Sequence, residues 1–344
     1  MNGLNLDQGT AVPPKRMMEV TKTSDGYEVS LNPSSLQLLQ TCPRKSMYSL
    51  RDGLVSKGSR DALSCGTAIH KAMEIYYAAP KLERILPAGF KENIIKMCQG
   101  EVLDGESSSL IYRATRGFID SAEPLAHLES TEARSILNVG WLLGEYYEAK
   151  LNDPHEILIC NGKPLVESLY ETELYEENGR FGRLKINLFG TIDAIMENKS
   201  TGQILVCDHK TAGRVDKNLF NRTKPNSQFT AYIHLVQQCL NLKTDTFMIN
   251  CFEVKAKPKT ASGSGPNFLN VITKRSEEDI EEFIQTTAVF VKNYLAYLED
   301  GFFPLGPVDA CANYGKCSYL DICESPETIK PNIIEFNYSS TKDL

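Results

Sequence analysis

Two apolar runs, Leu188 to Met196 and Ile204 to Val206, flank Glu197-Asn198-Lys199-Ser200-Thr201-Gly202, a stretch of turn-forming residues. Such a pattern closes a β-hairpin. The first run carries Gly190-Thr191-Ile192-Asp193, and the second continues as Val206-Cys207-Asp208-His209-Lys210. Side chains alternate faces along a strand, so Asp208 and Lys210 share one face while Cys207 and His209 take the other. If Glu197 faces Ile204, Asp193 faces Asp208, whereas a slip of one residue would turn Asp193 to the opposite face. Carboxylates held that close repel each other and retain protons unless a divalent cation lies between them. Oxygen donors of this kind suit Mg2+ or Mn2+ better than zinc.

Taken alone, Asp-x-Lys on a strand is most often a surface ion pair. Its neighbours along the chain give it more meaning. Upstream, Gly66-Thr67-Ala68-Ile69-His70 opens a helical stretch through Tyr77 in which His70 and Glu74 share a face. Downstream, Gln228-Phe229-Thr230-Ala231-Tyr232 sets Gln228 and Tyr232 on one helical face. Each of these is weak by itself, since a histidine or a tyrosine on a helix is usually structural.

Independent of these, Cys311, Cys317 and Cys323 are spaced with five residues in each gap, among Asn313, Gly315, Lys316, Ser318 and Asp321; Cys42-Pro43-Arg44 lies far upstream. Thiols crowded into a polar, glycine-containing segment read as ligands rather than core. Zinc sites usually show close C-x2-C pairs, which are absent, and disulfide frameworks belong to small secreted chains. Cys65, Cys98, Cys160, Cys207, Cys239 and Cys251 stand singly in mostly apolar surroundings and read as small buried hydrophobes.

The order His, Asp, Asp-x-Lys, Gln-x-x-x-Tyr resembles the PD-(D/E)XK nuclease superfamily. Within it, the chain is similar to the RecB-like branch of CRISPR-associated iron-sulfur exonucleases, the AddB nuclease domain and stand-alone phage nucleases. The resemblance spans about Ser34 to Cys323. It implies an α/β fold with a restriction-endonuclease-like core, a central mixed sheet flanked by helices, plus a helical insertion and a C-terminal iron-sulfur clasp. It implies a metal-dependent DNA nuclease, more often an exonuclease, acting on single strands or duplex ends.

Carried over by position, His70, Asp193, Asp208 and the backbone carbonyl of His209 would hold Mg2+ or Mn2+. Lys210 would position or activate water, and Gln228 with Tyr232 would orient the lysine or the DNA backbone. That branch places one cysteine before its core and three after it, which implies a 4Fe-4S cluster on Cys42, Cys311, Cys317 and Cys323. The better-known members use C-x2-C-x5-C, so the two five-residue gaps here depart from the pattern. The resemblance also allows a helicase or recombination partner in a separate chain, since no G-x-x-x-x-G-K-[ST] loop occurs, and a ring-forming homo-oligomer. Two alternatives stay open: a catalytically idle iron-sulfur subunit that binds or scaffolds DNA in a recombination or repair complex, and a zinc-holding interaction module with an ornamental Asp-x-Lys.

A net charge of -7 on 344 residues excludes a protein that coats nucleic acid by bulk charge. Local contact is expected from Arg214, Lys217, Arg222 and Lys224, with Lys255, Lys257 and Lys259 as a second candidate. No run approaches about eighteen apolar residues and no charged-then-apolar leader opens the chain, so no membrane span or secretory signal is expected. Ten cysteines without such a signal suggest a reducing, cytoplasmic setting.

The expected organisation is a lead-in over 1–30 and a helical region over 31–160 carrying Cys42 and His70. A nuclease core over 161–275, a C-terminal helix with the cysteine cluster over 276–325, and a tail over 326–344 follow. Strands are expected at Val166 to Leu174, Phe247 to Val254 and near Val271. Glu167 on the first of these is a further carboxylate within reach of the metal.

Overall fold

The hairpin forms in the expected register, with Glu197 opposite Ile204 and Ala194 opposite Cys207. One step further along the ladder brings Asp193 opposite Asp208. Gly202 closes the turn at φ 72°, a left-handed conformation that costs glycine nothing. The computed structural model describes residues 17–58, 60–103, 105, 108–215, 223, 226–260, 264–312 and 316–341. The chain divides into two units: one takes Met1–Ser56, Glu173–Leu188 and Thr286–Leu344, the other Lys57–Thr172 and Phe189–Gln285.

In the first unit β1 (Met18–Lys22) and β2 (Gly26–Leu31) form an antiparallel hairpin, and β2 pairs in parallel with the first part of β8 (Gly182–Asn198). The sequence reading allowed at most a fraying lead-in or an edge strand there. Instead, Val29 and Leu31 are fully buried. Helix α1 (Pro33–Thr41) starts where the residues dictate: the Asn32 side chain accepts from Ser35 N–H, Ser35 Oγ accepts from Asn32 N–H, and Pro33 takes the first turn. After α2 (Pro43–Ser46), β3 (Leu54–Ser56) pairs antiparallel with β12 (Tyr338–Ser340). Tyr48, Leu54, Tyr319, Ile322 and Tyr338 form a small core beside that ladder.

In the second unit the sheet is mixed. β4 (His155–Ile157) and β9 (Gln203–Ala212) both run antiparallel to β8. β10 (Thr246–Glu253) runs parallel to β9, and β11 (Phe268–Lys274) antiparallel to β10. β7 (Val166–Gly179) also pairs with β8, and a two-residue ladder joins β5 (Ile159–Cys160) to β6 (Lys163–Pro164). Parallel neighbours need a crossover, and α7 (Ser227–Leu240) supplies it between β9 and β10.

Helices α3 (Asp61–Ala78), α4 (Phe90–Cys98), α5 (Leu110–Ser121) and α6 (Ile136–Ala149) pack on one sheet face. Their Ile69, Met73, Tyr76, Ile94, Phe118 and Tyr146 share one core with Ala194, Met196, Cys207, Met248 and Phe252. α7 covers the other face through Phe229 stacked on Phe247. The result is a central mixed sheet flanked by helices, as expected. Helix α3 begins five residues before Gly66, so that glycine lies within the helix rather than at its start. In helix α8 (Glu277–Asp300) Ile280, Phe283, Val291 and Tyr294 are buried. Among the described residues no helix is long and apolar enough to cross a membrane.

Candidate active site

β8 and β9 bring the expected acids together. Asp193 and Asp208 are buried, while the Lys210 side chain remains partly exposed. Helix α3 presents His70, whose Nδ1 lies 3.5 Å from Asp193 Oδ2 and 3.8 Å from Glu167 Oε1. One ligand atom each from His70, Glu167 and Asp193 falls within 4.8 Å of the others, the spacing of a cation site. The His70 Nε2 donates to the His209 carbonyl at 2.7 Å, leaving Nδ1 as the nitrogen that faces the carboxylates. The His209 backbone N–H donates to Asp193 Oδ2 at 2.7 Å. The backbone of one residue, through its two successive peptide groups, therefore contacts both.

Asp208 stands outside that trio. Its carboxylate is buried and its Oδ2 lies 2.7 Å from Lys210 Nζ, an ion pair. Carboxylate oxygens with one imidazole fit Mg2+ or Mn2+. The His209 carbonyl, expected among the ligands, accepts from His70 Nε2 instead, on the other side of the ring from Nδ1.

Charge in this pocket is tightly coupled. Burial, then repulsion from Asp208, pushes the Asp193 carboxyl up to about 7, with His70 acting in the opposite direction. Burial raises Glu167 as well; His70 opposes that rise, and Glu74 with Asp208 adds to it. Burial alone would lower Lys210, but Asp208 and Asp193 more than offset it, so the ammonium stays charged.

Both carboxyls titrate above their unfolded range, so the folded protein without metal holds extra protons. Its stability falls as pH rises from about 4 towards 7. A cation must displace those protons. Mn2+ affinity should accordingly climb by up to about tenfold per pH unit below neutrality and level off above it. Titrations at several pH values, followed by the Mn2+ paramagnetic signal, test this; a flat profile would contradict the site.

Glu167 owes its place to its backbone. It sits at φ 42° near the start of β7, a left-handed conformation that costs a non-glycine residue roughly 1–2 kcal/mol. On α7, Gln228 Nε2 donates to the Tyr232 hydroxyl at 3.3 Å. Burial first, then the charge of Asp208, raises the Tyr232 pKa, which places its ring towards the carboxylates. Gly190 makes room for that ring, since a Cβ there would lie 2.9 Å from Tyr232 Cε1. Gly190→Ala is expected to cost about 1–3 kcal/mol, read as a lower urea midpoint at unchanged slope. An unmoved midpoint would mean that the ring does not rest on the strand.

The cysteines gather in the first unit. Cys42 caps α2, its Sγ accepting from Lys45 N–H, and a Cβ on Gly306 would come within 2.7 Å of that sulfur. Cys317 N–H donates to the Cys311 carbonyl at 2.9 Å, and Cys323 lies on α9 (Leu320–Glu324). Slight desolvation and then the charges of Cys317, Cys323 and Cys42 raise the Cys311 pKa, so the four thiols feel one another. Of the remaining cysteines, Cys65, Cys207 and Cys251 are buried as expected. Cys98, Cys160 and Cys239 are only partly buried, which corrects the reading of all six as core.

Among the expected DNA contacts, Arg214 is exposed; Lys217, Arg222 and Lys224 lie outside the described residues. Lys255 Nζ donates to Ser264 Oγ and the Gly265 carbonyl. Sequence reasoning missed Tyr77, Tyr146 and Asn250, which surround His209. One signal was available, because Asn250 interrupts the apolar run Phe247 to Phe252.

Comparison with curated proteins finds no match. Among solved structures, the crystal structure of SSO0001 is similar at 12% identity over 69% of this chain and 88% of that one; at a TM-score of 0.25 this likeness carries no structural argument. The family model described as the PD-(D/E)XK nuclease superfamily matches residues 30–324. That span holds His70, Glu167, Asp193, Asp208, Lys210 and the strands β4 to β11, and the chain belongs to the PD-(D/E)XK nuclease superfamily.

Proposed function

We propose that this protein is a metal-dependent DNA nuclease of the RecB-like iron-sulfur branch, acting as an exonuclease. The observation that carries the reading is the His70, Glu167 and Asp193 trio beside the buried Asp208 carboxylate, with the Lys210 ammonium 2.7 Å from it. Asp193, Asp208, Glu167 and His70 Nδ1 would hold Mg2+ or Mn2+, with the His209 carbonyl orienting His70 through Nε2. When bound, the ion supplies positive charge to the scissile phosphate and acidifies water.

Lys210 places a fixed positive charge where negative charge grows on the phosphate during hydrolysis. Tyr232 and Gln228, joined by their hydrogen bond, line the α7 side and would orient the backbone of the strand. Arg214, with Lys217, Arg222 and Lys224, would hold phosphates beyond the scissile one.

For Cys42, Cys311, Cys317 and Cys323 we propose a 4Fe-4S cluster. What supports it is that these four cysteines lie in one unit and that the charges of Cys317, Cys323 and Cys42 are felt at Cys311.

End-labelled single- and double-stranded DNA, incubated with anaerobically purified protein and Mn2+ or Mg2+, tests the activity. Stepwise shortening from an end supports the exonuclease reading. Internal cuts would make it an endonuclease, and no cleavage by a folded, Mn2+-binding protein would overturn the catalytic assignment.

A further inference from the structure

His209 is the residue between Asp208 and Lys210, and its backbone contacts both Asp193 and His70. Its ring points to the opposite face and is held on several sides. It stacks on Tyr77 at 5.4 Å and 18°, and meets Phe252 edge-on. Its Nδ1 lies 3.0 Å from Asn250 Nδ2, which also donates to the Tyr146 hydroxyl at 2.6 Å. That hydroxyl is in turn 2.6 Å from the Tyr77 hydroxyl. The circuit closes on itself, because Tyr77 is also the ring on which His209 stacks.

Asn250 reaches this position by register, since β10 runs parallel to β9 with Asn250 directly beside His209. It is the polar residue in the middle of a strand whose eight positions are all buried, between Thr246 and Glu253 at its ends, and its Oδ1 has no partner. An amide buried at that cost in an apolar layer needs a reason.

We infer that Asn250 is a positioning residue for the metal centre: by fixing the ring of His209, with Tyr146 and Tyr77 behind it, it fixes the His209 backbone, whose N–H holds Asp193 and whose carbonyl holds His70. This rests on the metal-centre reading above. As placed, the amide donates to Nδ1 and selects the tautomer with the proton on Nε2. Turned over, Oδ1 would accept from Tyr146 and from Nδ1–H and select the other. Either orientation locks one ring position and one tautomer. Groups that orient ligands from behind in this way typically change metal affinity by about 10–100-fold when removed.

The test is Mn2+ affinity, measured by the paramagnetic signal of free Mn2+ without DNA. Asn250→Leu keeps the branched shape and the heavy-atom count and removes the amide, and is expected to weaken Mn2+ binding at least tenfold. Ile94→Val, a core change in the same helical layer away from His209, is expected to leave affinity unchanged and so separates positioning from general loss of packing. Tyr146→Phe removes one hydroxyl from the circuit and is expected to weaken binding by a smaller factor, which keeps the test open if Asn250→Leu fails to fold. In 15N spectra, His209 is expected to show one tautomer in the wild type and a mixture in Asn250→Leu or Tyr146→Phe. Wild-type affinity with a single tautomer in these variants overturns the positioning role and leaves the metal centre standing. A wild-type protein that binds no Mn2+ overturns the metal centre first, and this inference with it.

Discussion

Lys210→Ala is expected to lower metal-dependent DNA cleavage by about 10²–10³-fold while leaving Mn2+ bound, the usual loss when one preorganised positive donor is removed. The side chain is partly exposed, so its loss opens no cavity in the core. Its ammonium is 2.7 Å from Asp208. Asp208→Asn should differ in kind: cleavage and Mn2+ affinity fall together, because a buried anionic donor is gone. Without metal, Asp208→Asn should also relieve Asp193, whose raised pKa owes its second-largest contribution to the Asp208 charge. The pH dependence of any remaining Mn2+ binding then shifts to lower pH. Single-turnover cleavage and Mn2+ titration on both variants check the pair. Wild-type turnover and affinity in Asp208→Asn would remove the centre from consideration.

Cys323→Ser and Cys42→Ser are expected to bleach the protein and destabilise the first unit by several kcal/mol, because a centre bound only by the folded state adds its binding energy to folding. The core there is small: Tyr48, Leu54, Tyr319, Ile322 and Tyr338 carry it, with Cys317 and Cys323 packed against its edge. Thiolates without metal would repel one another, as the raised Cys311 pKa indicates. Anaerobic purification, visible absorbance and a urea titration of each variant check this. Lys210→Ala, by contrast, should keep the full brown colour. A colourless wild-type protein holding zinc would overturn the cluster.

Much of the site was legible because its spacing is local. Period-two alternation put Asp208 and Lys210 on one face whatever the strand paired with, and 3.6-residue periodicity put Gln228 beside Tyr232. The hairpin register followed from a short turn with glycine at its end, which leaves few ways to close. Glu167 was within reach from the sequence, but not its left-handed backbone. Nothing in Val166 to Leu174 signals that conformation.

By itself the sequence determined the donors, their faces and the order in which they occur, since those depend on neighbours a few residues apart. Only the tertiary structure decided that His70 turns Nδ1 to Glu167 and Asp193 and that Asp208 is buried beside them. It also decided that Asn250 meets His209 across a parallel pair. These contacts join residues separated by dozens of positions, and strand pairing and burial select them after the local pattern has been satisfied.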